Sequence, residues 1–172
     1  MNKFRPNIYK KNILEIDYKK LKEMGKTTLV FDLDNTIALI DDDKCSDEVF
    51  NLIRKLQDDF LIIILSNNVT ARINPYKKYL GIDGYGYGMK PFMFKLIKIR
   101  KKYKLKKKEM VMIGDQIVTD VLVGNRFRIT TILVDPLGMK DLKITSFNRF
   151  FEDRILKMFK KKGIFERGKY YE

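Results

Sequence analysis

Four short apolar runs, alternating with stretches of helical character, constrain the fold more than any other feature of this 172-residue sequence. Each run is rich in Ile, Val and Leu and is bounded by polar residues, as is typical of parallel strands covered on both faces. The runs are Thr28 to Phe31, Leu61 to Leu65, Met110 to Ile113 and Thr131 to Val134. The helical stretches are 46–57, 75–80, 91–103 and 120–126. The alternation predicts an α/β fold of the Rossmann type, a three-layer sandwich around a central parallel sheet with right-handed crossovers.

The two ends of the chain are predicted to be helical. Residues 1–25 are expected to form a helical lead-in, whose buried stripe comprises Ile13, Ile16, Leu21 and Met24. Residues 147–162 are expected to form a last helix that is basic towards its end. The charged run from Lys104 to Glu109 is interpreted as a solvated helix end or loop. Because we find no repeat and no Gly/Ser linker, we expect one domain over residues 1–172.

The absence of histidine and the presence of only one cysteine, Cys45, limit the chemistry available to the chain. Without histidine there is no His triad, no His general base and no His metal ligand. A single cysteine excludes an internal disulfide and a Cys-cluster zinc site. Any catalysis must therefore use carboxylates, lysines and hydroxyls, with or without a hard metal ion.

The chain carries a formal net charge of +14 and has a pI near 9.7. This excess indicates attraction to phosphate-rich partners such as nucleic acid or anionic lipid. The abundance of Lys, Ile, Asn, Phe and Tyr also suits an AT-rich genome, so coding bias is the alternative explanation. No apolar stretch approaches the 18 residues of a membrane span, and no signal peptide is evident. We expect a cytoplasmic protein without a transmembrane segment, with peripheral contact with a membrane left open.

Polar residues follow each of the first three predicted strands. The carboxyl ends of parallel strands are where ligands bind in an open α/β sheet, so we expect these residues to converge on one crevice. A lysine just before Pro91, a residue that often starts helices, is expected to point into the same crevice. The candidate residues are Asp32, Asp34, Thr36, Ser66, Asn67, Lys90, Gly114, Asp115 and Asp120.

The chemistry of this set favours phosphoryl transfer. Carboxylates about 5 Å apart repel each other by roughly 3 kcal/mol per pair, unless a cation lies among them. An all-oxygen site suits Mg²⁺. One carboxylate of the Asp32–Asp34 pair can attack phosphorus to form an aspartyl-phosphate, while the other serves as general acid and base. Lys90 would neutralise phosphoryl charge, and the Ser66 hydroxyl would hold phosphoryl oxygens. Each motif alone is more often a turn or a helix cap, but their ordered combination predicts a functional site.

These motifs resemble the haloacid dehalogenase (HAD) superfamily of aspartate-based phosphatases, and more closely its subclass IIIA, the YqeG family. The similarity extends from about Tyr9 to about Lys162. The stretches that carry it are FDLDNT (31–36), LSNNVTARI (65–73), MKP (89–91), IGDQIVTDVLVGNR (113–126), TILV (131–134) and TSFNRFFEDRIL (145–156). Two departures concern loop shape and substrate choice: Gly88-Met89 stands before Lys90, where a small and often a charged residue is expected, and Arg128 stands where the family usually has a turn glycine.

The resemblance implies a Mg²⁺-dependent phosphatase in which Asp32 is the nucleophile and Asp34 the general acid and base. It implies that Ser66, Asn67 and Lys90 bind phosphate, and that Thr36 and Gly114 support the site. The implied Mg²⁺ ligands are Asp32, the backbone carbonyl of Asp34, Asp115 and Asp120, the last supporting or binding through water. Eukaryotic relatives of the family are phosphatidylglycerophosphate phosphatases, so this lipid is the first substrate expected.

The spacing of the motifs leaves no room for a cap domain. Asp34 and Ser66 are 32 positions apart, and Ser66 and Lys90 are 24 apart. An open site suits a phosphorylated substrate that brings its own bulk, such as a lipid headgroup, a protein or a nucleic-acid end. The alternative is a small-molecule phosphatase whose site is closed by oligomerisation.

Two basic helices suggest a contact with an anionic surface. The stretch 91–103 carries five basic residues, and the last helix interleaves Lys and Arg with Phe, Ile and Leu. A basic helix with an aromatic face can lie on an anionic membrane. In the alternative, those aromatic residues face the core and the lysines are solvated. A further alternative is an RNA- or ribosome-binding protein with little hydrolytic activity.

Overall fold

The computed structural model describes residues 2–138 and 143–172, with side chains for residues 3–138 and 151–172. These residues form one six-stranded parallel sheet of order β1-β6-β5-β2-β3-β4. The strands are β1 (Ile8–Lys10), β2 (Thr28–Phe31), β3 (Leu61–Leu65), β4 (Asp83–Tyr85), β5 (Met110–Gly114) and β6 (Thr130–Val134). The α-helices are α1 (Tyr18–Glu23), α2 (Asp47–Leu56), α3 (Thr70–Leu80), α4 (Phe94–Lys102), α5 (Leu122–Phe127) and α6 (Lys143–Lys161). Single helical turns lie at Asn2–Phe4, Ile13–Glu15 and Lys107–Glu109, and a π-helical turn lies at Ile117–Val121.

Helices cover both faces of the sheet because successive strand residues point to opposite sides. Leu29 and Phe31 of β2 pack in a cluster with Ile53 of α2. Val30, between them, packs in a second cluster with Leu96 of α4. This arrangement explains the uninterrupted apolar runs and confirms the predicted α/β three-layer sandwich with a central parallel sheet.

All four predicted strands are present, each within one residue of its predicted bounds. Two strands were missed, β1 and β4, because three residues are too few to show a period. Within β4, Gly84 packs so closely that a Cβ atom there would lie 2.6 Å from Ile73. A strand with glycine at its centre has no apolar pattern to detect.

The predicted helical lead-in over residues 1–25 is wrong for β1, which lies at the edge of the sheet beside β6. Residues far away in the sequence stabilise this strand. Tyr9 and Tyr171 form two backbone hydrogen bonds with each other, of 2.8 and 2.9 Å. Of the predicted buried stripe, Ile13, Ile16 and Leu21 are buried, whereas Met24 is 54% exposed. The interactions that order this end of the chain are therefore largely non-local.

Three helix boundaries also differ from their predictions. Helix α3 begins at Thr70, five residues before the predicted start, and contains Pro75. Helix α4 begins at Phe94, so the prediction that Pro91 starts it is wrong. The stretch 120–126 divides between the π-helical turn and α5. The charged run from Lys104 to Glu109 forms a loop and one helical turn, as expected.

The last helix, α6, begins four residues before the predicted start and ends at Lys161. Phe159 is fully buried, and Ile155 and Leu156 pack against the same cluster. Phe151 is 46% exposed. The side chains of the predicted stripe at 147–150 lie outside the described residues. The described side chains thus favour the interpretation in which this helix packs its apolar face on the protein.

The segments between the motifs hold no inserted domain. From Asp34 to Ser66 the chain forms a loop, α2 and β3, and from Ser66 to Lys90 it forms α3 and β4. The site is therefore capless, as the spacing predicted. Within the described residues, no helix combines the length and the apolar character needed to cross a bilayer.

We predict that Arg128→Gly stabilises the protein. Arg128 ends α5 in the left-handed conformation, with φ 62° and ψ 50°. This conformation costs a non-glycine residue about 1–2 kcal/mol, which the roughly 0.5–1 kcal/mol of extra backbone entropy of glycine partly offsets. We expect up to about 1 kcal/mol of added stability, or about 2–4 °C in thermal denaturation.

The matched control is Gly25→Ala, at φ +74°, where a Cβ would meet no atom within 4 Å. This variant should lose about 1 kcal/mol through backbone strain alone. An unchanged or lowered melting temperature for Arg128→Gly would contradict the prediction.

Candidate active site

The carboxyl ends of the three central strands place the predicted residues around one crevice. Strand β2 lies between β5 and β3, with Phe31 paired to Ile113 on one side and to Ile64 on the other. The residues that follow these strands are therefore neighbours. The structure brings together Asp32, Asp34, Thr36, Ser66, Lys90, Gly114, Asp115 and Asp120.

Lys90 lies at the centre of the site. Its Nζ donates to Asp32 Oδ1 at 2.7 Å and to Asp120 Oδ1 at 2.6 Å, and the three side chains are buried. Burial lowers the pKa of the Lys90 ammonium, but the carboxylates of Asp120 and Asp32 outweigh this effect and raise it above its ordinary value. The lysine is therefore held charged between two carboxylates.

Asp32, Asp115 and Asp120 form a buried acidic cluster, with one oxygen of each within 4.8 Å of the others. Burial raises the pKa of Asp32 to about 7, although Lys90 acts in the opposite direction. Burial and the neighbouring Asp32 and Asp120 carboxylates raise the pKa of Asp115 well above its usual range. Three carboxylates and one ammonium leave two uncompensated negative charges when all are ionised. A divalent cation with a preference for oxygen ligands fits both this charge and this donor set.

Gly114 is what lets Asp120 approach the cluster. A Cβ atom at position 114 would lie 2.3 Å from the carboxyl carbon of Asp120. The π-helical turn carries Asp120 back towards the end of β5, where its Oδ2 accepts from the backbone N–H of Gln116 at 3.1 Å. Thr36 Oγ1 lies 3.4 Å from Asp115 Oδ1. Both predicted supporting residues thus contact the acidic cluster or its neighbours.

Asp34 lies outside the acidic cluster, in a different environment. Its Oδ1 accepts from Arg72 Nε at 3.1 Å. Its Oδ2 accepts from Asn68 Nδ2 at 3.2 Å and lies 3.4 Å from Ser66 Oγ. Two carboxylates that are two residues apart in sequence therefore have different partners, Lys90 for Asp32 and a group of polar donors for Asp34.

Arg72 and Asn68 are site residues that our sequence reasoning missed. Arg72 also donates to the carbonyls of Leu39, at 2.7 Å, and Asp42, so it ties the loop after β2 to Asp34. Its guanidinium carbon lies 5.1 Å from the centroid of the Tyr76 ring. Both residues belong to the quoted stretch LSNNVTARI. Because α3 was predicted to start only at Pro75, nothing placed Arg72 on a helical turn that faces the site.

Asn67 was predicted to bind phosphate. In the structure its side chain bonds to the backbone of Lys90. Its side-chain amide donates to the Lys90 carbonyl at 2.9 Å and accepts from the Lys90 N–H at 2.7 Å. The side chain therefore holds the backbone of Lys90, and the Lys90–Pro91 peptide bond in this loop is cis. The contact makes Asn67 a positioning residue for the lysine.

A second ion-pair group borders Asp115 from the C-terminal part of the chain. Arg167 donates to the Asp115 carbonyl at 3.3 Å, to Glu152 at 2.7 Å and to Asp135 at 3.1 Å. Burial raises the pKa of Glu152 despite the adjacent guanidinium. Glu152 lies in the quoted stretch TSFNRFFEDRIL, but nothing in the sequence placed it beside Asp135 and Arg167, because the members of this group are far apart in the chain.

Comparison with known proteins identifies the family. A model of the HAD-hydrolase-like family matches residues 89–139. A Bacillus subtilis (strain 168) protein named "Probable phosphatase YqeG" is 37% identical over 161 residues, which is 93% of this chain and 94% of that protein.

Two solved structures are similar in fold. An uncharacterized protein from Listeria monocytogenes serotype 4b has a TM-score of 0.55 at 19% identity, over 67% of this chain and 84% of that one. A predicted HAD-like family hydrolase from Porphyromonas gingivalis has a TM-score of 0.54 at 13% identity, over 74% of this chain and 98% of that one. At these identities the two structures bear on the fold alone. The 37% identity to the Bacillus subtilis relative over most of both chains confirms the family that the motifs predicted: the chain belongs to the YqeG family of HAD-like phosphatases.

Proposed function

We propose that the protein hydrolyses a phosphomonoester with Mg²⁺ through an aspartyl-phosphate on Asp32. The observation that carries the proposal is the different surroundings of two neighbouring carboxylates. Asp32 lies 2.7 Å from the buried Lys90 ammonium inside the acidic cluster, whereas Asp34 lies outside it among hydrogen-bond donors. Such a pair can divide nucleophilic attack and proton transfer between its members.

Mg²⁺ would be held by Asp32, Asp115, Asp120 and the backbone carbonyl of Asp34. The support for this ligand set is its chemistry: oxygen donors only, buried, with two negative charges in excess over Lys90. When bound, the ion would neutralise charge on the phosphoryl oxygens and on the cluster itself.

In the first half-reaction an Asp32 oxygen bonds to phosphorus and the phosphorus–oxygen ester bond breaks. Asp34 donates a proton to the departing alcohol oxygen. In the second half-reaction Asp34 takes a proton from water, whose oxygen attacks the phosphorus of the aspartyl-phosphate, and this releases phosphate and the Asp32 carboxylate. Lys90 and Ser66 would hold the phosphoryl oxygens, since both already lie beside one of the two carboxylates.

Phosphatidylglycerophosphate is the substrate we propose, which would place the enzyme in phospholipid biosynthesis. A capless site admits a headgroup whose acyl chains stay outside it, and the +14 charge favours an anionic substrate. The family relationship points the same way. Phosphoprotein and nucleic-acid ends share the phosphomonoester chemistry and are the alternatives that the assay must exclude.

The first prediction concerns the reaction and its substrate. Wild-type protein with Mg²⁺ should release phosphate from phosphatidylglycerophosphate in anionic vesicles, and Asp32→Asn should lower that rate by roughly a thousandfold or more. An aryl phosphate is the control for chemistry without the lipid. Turnover of the aryl phosphate, or of a phosphopeptide or a 5′-phosphorylated oligonucleotide, without lipid turnover would reject the lipid. A near-wild-type rate in Asp32→Asn would reject the nucleophile.

The second prediction concerns the metal. EDTA should abolish aryl-phosphate hydrolysis and Mg²⁺ should restore it in the wild type but not in Asp115→Asn. In EDTA, the same variant should be more stable than the wild type by on the order of 1 kcal/mol, because it removes one of three mutually repelling buried carboxylates. The matched control is the exposed Asp58→Asn, which should behave as the wild type in both measurements. Metal-independent turnover would overturn the site.

The third prediction concerns Arg72. Arg72→Met should lower kcat for aryl phosphate by roughly tenfold to a hundredfold, because a hydrogen bond between charged groups is worth about 1.5–3 kcal/mol. Tyr76→Phe is the matched control, since the Tyr76 hydroxyl donates to the Asp42 carbonyl in the same loop without contacting Asp34. An equal loss in both variants would show that Arg72 acts through the loop and not through Asp34.

A further inference from the structure

The segment 87–94, which flanks Lys90, exposes four large apolar side chains. Tyr87, Met89, Phe92 and Phe94 are 57%, 56%, 53% and 64% exposed. They are four of the five large hydrophobic residues that are more than half exposed in the described part of the chain, the fifth being Met24. Exposed apolar residues clustered beside a site, unlike single ones scattered over a surface, mark an interaction surface. We call the segment 87–94 the apolar rim.

The first half of the apolar rim is fixed with its apolar side chains outward. From Gly86, which directly precedes the rim, to Lys90, buried Gly86, Gly88 and Lys90 alternate with exposed Tyr87 and Met89. The glycines lie against the loop after β3: a Cβ at Gly86 would lie 2.6 Å from the Thr70 backbone nitrogen, and one at Gly88 would lie 2.8 Å from the Ser66 carbonyl oxygen.

Backbone hydrogen bonds hold the same strip in place. Tyr87 N–H donates to the Asn68 carbonyl and Gly88 N–H to the Ser66 carbonyl, both at 2.8 Å. Further along, the rings of Phe92 and Phe94 stack on each other with centroids 6.0 Å apart and remain exposed. The backbone of Tyr87 and Gly88 is thus held against the loop after β3, so the strip cannot turn its apolar side chains inward without breaking these bonds.

Positive charge accompanies the apolar rim. The 25 residues from Gly84 to Lys108 contain ten Lys and Arg and no Asp or Glu. Lys98 and Lys101 of α4 are exposed, and neither has a carboxylate within 4.0 Å among the described residues. Aromatic and apolar side chains beside cations without carboxylate partners are complementary to a surface that has anionic groups outside and an apolar layer below them.

We propose that the apolar rim and the exposed cations of α4 dock the protein on an anionic lipid bilayer. The inference rests on the proposed function in one respect: docking would bring the headgroup of a lipid phosphomonoester to Lys90, which lies within the rim. Phe92, Phe94 and Met89 enter the interface between headgroups and acyl chains, while Lys98 and Lys101 contact anionic headgroups.

Other occupants fit the surface less well. A second copy of the chain would bring two carboxylate-free basic segments together. A nucleic acid would satisfy the cations, but it would offer nothing apolar to Met89, and the Phe92 and Phe94 rings already stack on each other. On the last helix, the alternative surface, the described Phe159 is fully buried.

The absence of tryptophan provides a direct test, because one introduced indole reports its own surroundings. Phe94→Trp is a conservative change at an exposed position of the apolar rim. Met24→Trp is the matched control, because Met24 is similarly exposed but lies outside the rim. Vesicles of equal parts phosphatidylglycerol and phosphatidylcholine should shift Phe94→Trp emission to the blue, and brominated acyl chains should quench it. Met24→Trp should show neither effect. Equal or absent responses in the two variants would overturn the proposal.

A binding assay separates the apolar from the electrostatic contribution. In vesicle sedimentation, Phe92→Ser/Phe94→Ser should partition at least about tenfold more weakly than the wild type. Lys98→Glu/Lys101→Glu should lose about fivefold per removed positive charge, whereas Lys161→Glu/Lys162→Glu at the C-terminal end of the last helix should lose clearly less. Aryl-phosphate hydrolysis checks that each variant is folded, and its rate should be unchanged. Equal losses in the two lysine pairs would assign the binding to net charge instead of this surface.

The outcomes keep docking and catalysis distinguishable. Asp32→Asn should bind vesicles as the wild type does, so binding is measured without turnover. Binding by the rim with no hydrolysis of any phosphomonoester would leave docking in place and reject the proposed function. Aryl-phosphate hydrolysis without vesicle binding would reject docking and leave the proposed phosphatase activity in place. Binding of single-stranded RNA that outcompetes vesicles, or self-association lost in Phe92→Ser/Phe94→Ser, would also overturn the lipid assignment.

Discussion

A buried ammonium between two buried carboxylates is the interaction on which the site depends. Lys90 lies at the point where Asp32 and Asp120 meet, with contacts of 2.7 and 2.6 Å. At an effective dielectric constant near 20, two unit charges interact by about 3 kcal/mol at about 5 Å and by about 6 kcal/mol at the distance of the ammonium contacts, so each Lys90 contact outweighs the repulsion of one carboxylate pair. With Asp115 ionised as well, the three carboxylates carry two more negative charges than Lys90 neutralises. Either a bound cation or proton uptake, which the raised pKa values of Asp32 and Asp115 favour, would remove this excess.

Loop contacts, more than the sheet, hold this lysine in place. The parallel sheet aligns the ends of β2, β3 and β5 and so positions the residues that follow them. Lys90 instead lies in a loop, several residues after β4 ends. The Asn67 side chain makes two hydrogen bonds with the Lys90 backbone, and Gly88 allows the chain to lie against the Ser66 carbonyl. The loop after β3 thus positions the lysine loop. Misplacing either loop would separate Lys90 from Asp32.

The sequence predicted the parts of the site that follow directly from strands. Asp32, Ser66 and Asp115 lie where the sheet ends, because an apolar run shows where a strand stops and the parallel topology makes those ends adjacent. Arg72 was missed because its place depended on a helix boundary, which sequence periodicity locates poorly across Pro75. Arg167 was missed because its contact with the Asp115 carbonyl joins residues 52 positions apart, and only tertiary packing creates it.

The charge distribution acts on an anionic ligand in two opposite ways. The chain is strongly basic overall, so its long-range field draws in anionic molecules. At physiological ionic strength that field is screened beyond about 8 Å, whereas the carboxylates of the acidic cluster lie within a few ångströms of an entering phosphate. With all three carboxylates ionised and no cation bound, a phosphate dianion would meet a site with two negative charges in excess. Attraction at the surface and repulsion in the crevice therefore act on the same ligand, and a bound cation or proton uptake by the cluster would remove the repulsion.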